Sequence, residues 1–151
     1  GSGREFAAAS RGMAARGDAS RHRLSVPSVH VRGQRALVTM PMAIEFRIHL
    51  HEVEADLVSF VRGLYRVERR EGRDGICDLS TIYERDTLTA AVPSDIIPIN
   101  RERLAQMPRS YRMLAYYFDI RGYEVDPNLP GDDRLESADA VVAEAFAWLE
   151  S

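Results

Sequence analysis

Between residues 36 and 50 the apolar side chains keep one parity. Ala36, Val38, Met40, Met42, Ile44, Phe46, Ile48 and Leu50 take even positions, while Glu45, Arg47, His49 and His51 take odd ones. A period of two marks a half-buried strand, because successive side chains of an extended chain point to opposite faces. A strand of this length must curve strongly or carry a bulge. Residues 53–70 predict a further strand. Val53, Ala55, Leu57, Val61, Tyr65 and Val67 form one face, and Val58, Phe60 and Leu64 make the middle of the other face apolar too. That middle stretch is expected to be covered on both sides. Glu71-Gly72-Arg73-Asp74-Gly75 reads as a hairpin turn and residues 76–88 as another strand. Upstream, Leu24 and Val26 share a parity, Pro27 interrupts, and Val29 and Val31 resume on the other. This pattern predicts a strand with a bulge or an edge position, followed by a turn at Arg32-Gly33-Gln34-Arg35. Successive hairpins make the sheet antiparallel.

Helical patterns flank the strands. Residues 7–16 are rich in alanine and predict a short helix, interrupted by Gly12 and ended by Gly17. Asn100 can cap a helix over 101–107 that stops before Pro108. Ser110 can cap another over 110–121, with Tyr111, Leu114, Ala115 and Phe118 on one face. Ala138, Val141, Val142, Ala145 and Leu149 stripe a last helix over 137–149. Strands in the middle and helices at the ends spell an α+β fold, with helices on a curved sheet enclosing an apolar pocket. The expected organisation is a single domain over 7–151. Residues 1–6, Gly-Ser-Gly-Arg-Glu-Phe, read as the remnant of a cloning site.

Composition removes several function classes. All 20 basic residues are arginine, so Schiff-base, Walker-A and lysine-base mechanisms are out. The net charge is −3 with both signs interspersed, which argues against a nucleic-acid-binding face. The lone Cys77 can form no internal disulfide and reads as a small core residue. No apolar run approaches the ~18 residues that would cross a bilayer, so the expectation is a cytoplasmic protein that does not engage a membrane. His49 and His51 share a strand face but lack a third ligand in reach, so no metal is expected.

The candidate catalytic group is His22, which shares the parity of Leu24 and Val26, and imidazole is the side chain most often used as a general base. Asp18 is the nearest carboxylate before it and the candidate to orient it, with Asp56 and Asp78 as alternatives. Met40, Met42, Phe46, Phe60, Tyr65 and Tyr83 are the expected pocket lining, set against a plain core role.

Three stretches carry a resemblance to a known family. These are Ser20-Arg21-His22-Arg23-Leu24-Ser25 followed by Val29 to Ala36, then Tyr65-Arg66-Val67-Glu68-Arg69-Arg70-Glu71-Gly72, then Ile82-Tyr83-Glu84-Arg85-Asp86. Together they resemble the SnoaL-like branch of the NTF2-like superfamily over roughly residues 10–90, and the C-terminal helices resemble an extension found in some members. The resemblance implies a cone-shaped sheet around an apolar pocket. It implies a cofactor-free lyase or isomerase for a small apolar carbonyl molecule, with His22 as the base. Three departures stand out. Val26 replaces a usual Asn, Asp74 and Gly75 stand where an aromatic is common, and two helices that precede 7–16 in the family are not in this chain. Those helices close the cone and often supply the aspartate for the histidine. A second copy closing the open cone is therefore expected, giving a homodimer. The rival readings are a pocket that binds without chemistry and a structural dimer. A bacterial source is expected.

Overall fold

The structure is a computed structural model that describes residues 3–151. A helix α1 (Gly3–Ala15) leads into strands β1 (Ser20–Leu24), β2 (Ser28–Arg32), β3 (Arg35–Leu50), β4 (Val53–Arg70) and β5 (Arg73–Ala90). Helix α2 (Arg101–Ala105), a 3-10 turn at Arg109–Tyr111, α3 (Arg112–Ile120) and α4 (Leu135–Glu150) follow. The fold is α+β. Its five-stranded antiparallel sheet runs β1-β3-β4-β5, with β2 also on β3, and it is packed by helices without closing into a barrel.

Three two-residue turns, at Gly33-Gln34, His51-Glu52 and Glu71-Gly72, set the registers. Glu71-Gly72 joins β4 to β5 with both residues at positive φ, the geometry that matches strand twist. His51-Glu52 joins β3 to β4 the same way at φ 48° and 69°, without a glycine. Along the other edge of β3, β1 and β2 act as one broken strand. Leu24 faces Met42, Val29 faces Val38, and one extra residue is taken up between them. The parity switch at Pro27 is this bulge, and it returns Leu24, Val29 and Val31 to a single face. The backbone NH of Ser25 donates to the Pro41 carbonyl at 2.9 Å. The carbonyl and nitrogen of a strand residue point the same way, so the donor that Pro41 lacks falls at the break, where an inner strand tolerates proline.

Length decides how the faces are covered. An 18-residue strand is about 60 Å long, whereas a 16-residue helix is about 24 Å. No single helix can cover a whole face, and α3 and α4 take opposite faces at opposite ends. At the β3–β4 turn, the 3-10 turn and α3 pack on Phe46, Ile48, Leu50, Ala55 and Leu57, the first through Tyr111 and the second through Leu114, Ala115 and Tyr116. Towards the β2–β3 turn, α4 packs on the other face over Leu37, Leu64 and Ile82 through Ala138, Ala145 and Leu149. The even positions of β3 are therefore the more buried ones only from Met42 onward. Before that, odd-numbered Leu37 is fully buried while Ala36, Val38 and Met40 are half-buried.

Other local expectations are corrected. Gly12 does not interrupt α1, which includes residues 3–6; one glycine costs a helix only about 1 kcal/mol. Asn100 does cap α2, its Oδ1 accepting from the NH of Arg103 at 3.0 Å. Ser110 caps nothing: its Oγ donates to Asp133 Oδ1 at 2.6 Å and accepts from the Asp133 NH. The first turn of α3 is satisfied from the sheet instead, by Asp86 Oδ2 accepting from the NH of Leu114 at 2.9 Å. Cys77 is exposed at a β5 bulge rather than in the core, and its Sγ donates to the Arg66 carbonyl at 3.2 Å.

Candidate functional site

His22 lies on β1 opposite Ile44, on the face that carries α3. It is exposed, and no side chain of a described residue hydrogen-bonds its ring. Asp18 does not serve it. Asp18 is buried, 2% exposed, and its two oxygens accept from Tyr117 Oη at 2.6 Å, Tyr123 Oη at 2.6 Å and Arg121 Nη2 at 3.2 Å. Burial opposes its charge, but these bonds together with the guanidinium outweigh burial and hold the carboxyl below its usual range. Asp18 thus ties the α1–β1 segment to the end of α3. The alternatives are also engaged elsewhere: Asp56 pairs with Arg47 at 2.7 Å and Asp78 with Arg66 at 3.8 Å.

The six expected pocket residues do not line one cavity. Met42 and Phe46 are core, with Phe118 edge-on to Phe46 at 5.8 Å. Tyr83 packs against Tyr111 with ring centres 4.8 Å apart and planes tilted by 45°, and burial pushes its hydroxyl pKa up. Met40 and Tyr65 lie on the same face beyond α3. Phe60 is on the opposite face beneath the Arg85 guanidinium, 4.2 Å from its centre.

A polar site that sequence reading missed lies beneath α3. Asp86 sits opposite Ser59 in register, and Ser59 Oγ is fully buried with no partner among the described residues. Burial, opposed by the backbone bonds from Leu114 and Met113 and by the Arg112 charge, lifts the Asp86 pKa to about 6. In the sequence Asp86 stands among Glu84, Arg85 and Thr87, so nothing there set it apart from a solvated strand carboxylate.

The larger features are two open surfaces. The first is the part of the α3 face that α3 does not reach. Two apolar rungs cross it, Val29–Val38–Tyr65–Leu79 and Val31–Ala36–Val67–Ile76, with Met40 and Leu24 beside them. Val31 is 71% exposed, Ile76 65%, Leu24 61%, Val29 54% and Leu79 42%. The second is an open groove of about 720 Å³ on the opposite face, among Arg21, Arg23, Glu45, Arg47, Asp56 and Val58. Among the described residues no helix is long and apolar enough to cross a membrane, and no three or more His, Cys, Asp or Glu side chains could hold a metal ion.

No family model matches the chain. It is 29% identical over 129 residues to a PEP2-like protein of Fusarium vanettenii, an alignment covering 81% of this chain and 55% of that protein. It is 27% identical over 155 residues to Pea pathogenicity protein 2 of the same fungus, covering 97% of this chain and 66% of the relative. The chain therefore spans between about half and two-thirds of these relatives' lengths. Both relatives are fungal, and this corrects the expectation of a bacterial source.

Proposed function

We propose that the chain is an association module which pairs with a second copy of itself through the open apolar half of the α3 face. The observation that carries this is the pair of uninterrupted apolar rungs. The five exposed side chains named above offer roughly 500 Å², towards the upper end of the ~300–600 Å² of a monomer's largest apolar patch and most of the ~800 Å² per partner of a standard interface. At about 25 cal/mol per Å² this is on the order of 10 kcal/mol gross per copy, which competes with association costs of about 4–15 kcal/mol. The surface suits a copy of itself. The two rungs hold no charged residue, and the pair that borders them, Arg69 and Asp74, is already joined at 2.8 Å. A two-fold axis can then set rung on rung without like charges meeting.

The strand order and the three family-like stretches support placing this sheet in the SnoaL-like, NTF2-like cone group, and the unpaired Cys77 supports a cytoplasmic setting. A lyase or isomerase, or a site for a small apolar molecule, would need His22 or Met40 inside a closed pocket. Their open positions make the non-catalytic module the better reading.

Sedimentation velocity at 10–100 µM tests it. The expected species has about twice the 17.0 kDa chain mass. Val31→Glu with Ile76→Glu, both at solvent-facing positions, is expected to give a folded monomer. A wild-type monomer at 100 µM, or a dimer indifferent to the double substitution, overturns the proposal.

A further inference from the structure

The groove on the α4 face lies outside the proposed pairing surface, and its ion pairs are unequal. Arg23 Nε bonds both oxygens of Glu45 at 2.7 Å. Arg47 holds Asp56 at 2.7 and 3.1 Å and reaches Glu54 at 3.4 Å. Arg21 stands directly opposite Glu45 in register, yet no acid among the described residues pairs with it. Three guanidiniums and two carboxylates line the groove, Glu54 beside it also faces Arg47, and Arg21 is the guanidinium that no acid among the described residues pairs. The floor is apolar at Val58. Past Arg23 the groove adjoins a slot of about 200 Å³ lined by Leu24, Pro41, Met42, Ala43, Phe60 and Val61, with Glu84 at its side held by Arg62 at 2.8 Å.

We propose that this groove binds a small molecule carrying a single carboxylate on an apolar body, with Arg21 as the anchor. A guanidinium presents two parallel N–H donors that match the two oxygens of a carboxylate. A single unpaired guanidinium, beside acids that already face their own arginines, suits a monoanion. A phosphate dianion would bring its second charge against Glu45 and Asp56, whose oxygens already face their own arginines. The volume lies within the ~300–1,000 Å³ usual for small-ligand sites. With the head on Arg21, the body runs over Val58 towards Ala43 and Phe60, on the same face two register positions along. Arg23 stands between the two compartments and lines both, so the body passes along its aliphatic stem.

The test uses 1-naphthoate as probe, with 1-naphthalenemethanol as its neutral counterpart and inorganic phosphate as the dianion, in calorimetric titrations of the whole chain. Naphthoate is expected to bind in the micromolar-to-millimolar range. The alcohol and phosphate should each bind about tenfold or more weakly, and Arg21→Gln should weaken naphthoate by a similar factor without altering circular dichroism. Phe60→Leu, which keeps an apolar wall but shortens it, should weaken naphthoate and leave the preference over phosphate. No naphthoate binding at millimolar concentration, equal binding of the alcohol or phosphate, or an unaffected Arg21→Gln would overturn the proposal.

Discussion

Replacing Asp18 by alanine tests the one charged side chain that is buried among the described residues. The side chain is 2% exposed and accepts from three donors. Those donors differ in what they lose. Tyr117 is 3% exposed, so its hydroxyl is stranded, at about 1–3 kcal/mol for an unsatisfied buried donor. The Arg121 side chain is 39% exposed and Tyr123 is half-buried, so both can turn to water at about 1 kcal/mol or less each. The expected total is about 3 kcal/mol, a large part of the 5–15 kcal/mol a domain has. Asp18→Asn is expected to cost about half, because the amide oxygen still accepts from one tyrosine. Urea unfolding followed by circular dichroism should show the midpoint falling by about 1–2 M for Asp18→Ala. A second reading comes from pH. The folded carboxyl titrates below its unfolded value near 3.9, so its contribution is present above that pH and fades as pH falls through the folded value. The gap between wild type and Asp18→Asn should therefore narrow below about pH 4. A cost under about 1 kcal/mol, or a gap constant from pH 3 to 7, would refute the reasoning.

Asp86 should behave in the opposite sense. Its folded pKa of about 6 lies above the unfolded value, so the protein is most stable with respect to this group at low pH and loses stability as pH rises through 6. Asp86→Asn is expected to stabilise by about 1–2 kcal/mol at pH 7, discounted for partial exposure, with no gain below about pH 4; chemical denaturation at the two pH values checks it. At the β3–β4 turn, His51→Asn with Glu52→Gly supplies the pair preferred where both φ values are positive, and a gain of about 1 kcal/mol is expected in the same assay.

The strands were readable because their signal is local. Parity along 36–50 and 53–70 needs only a side chain's own backbone direction, and even the bulge at Pro27 showed as a parity switch. The burial of Leu37 was not readable, since it depends on where a helix about 100 residues later comes down. The same limit governed the site residues. Asp18 and His22 are four residues apart, and proximity in sequence suggested a pair. Asp18 instead found Tyr117 and Tyr123, whose hydroxyls arrive on and just after α3. Ser110 had the sequence form of a helix cap, but Asp133, 23 residues on, claimed its hydroxyl. In each case a distant polar partner outcompeted the local one, and hydroxyl–carboxylate pairing carries no period that a sequence can display.

The strand lengths also explain why both proposals fall where they do. Two helices on opposite faces at opposite ends leave two bare quadrants, and the residues differ sharply between them. On the α3 face the bare quadrant holds valine, isoleucine, leucine, methionine and tyrosine. On the α4 face it holds arginines and acids over Val58 and Phe60. Had both quadrants needed only solubility, each would carry the same mixed charged surface. An apolar quadrant gains by leaving water, so it calls for a broad flat partner that brings no charge of its own. A charged quadrant with an apolar floor and one unmatched arginine cannot be buried against a copy of itself without setting Arg21 against its own charge. It can accept a small anion without uncovering anything. The quadrants are on opposite faces and share Leu24 at their border, so each can be lost by substitution away from Leu24 while its neighbour persists.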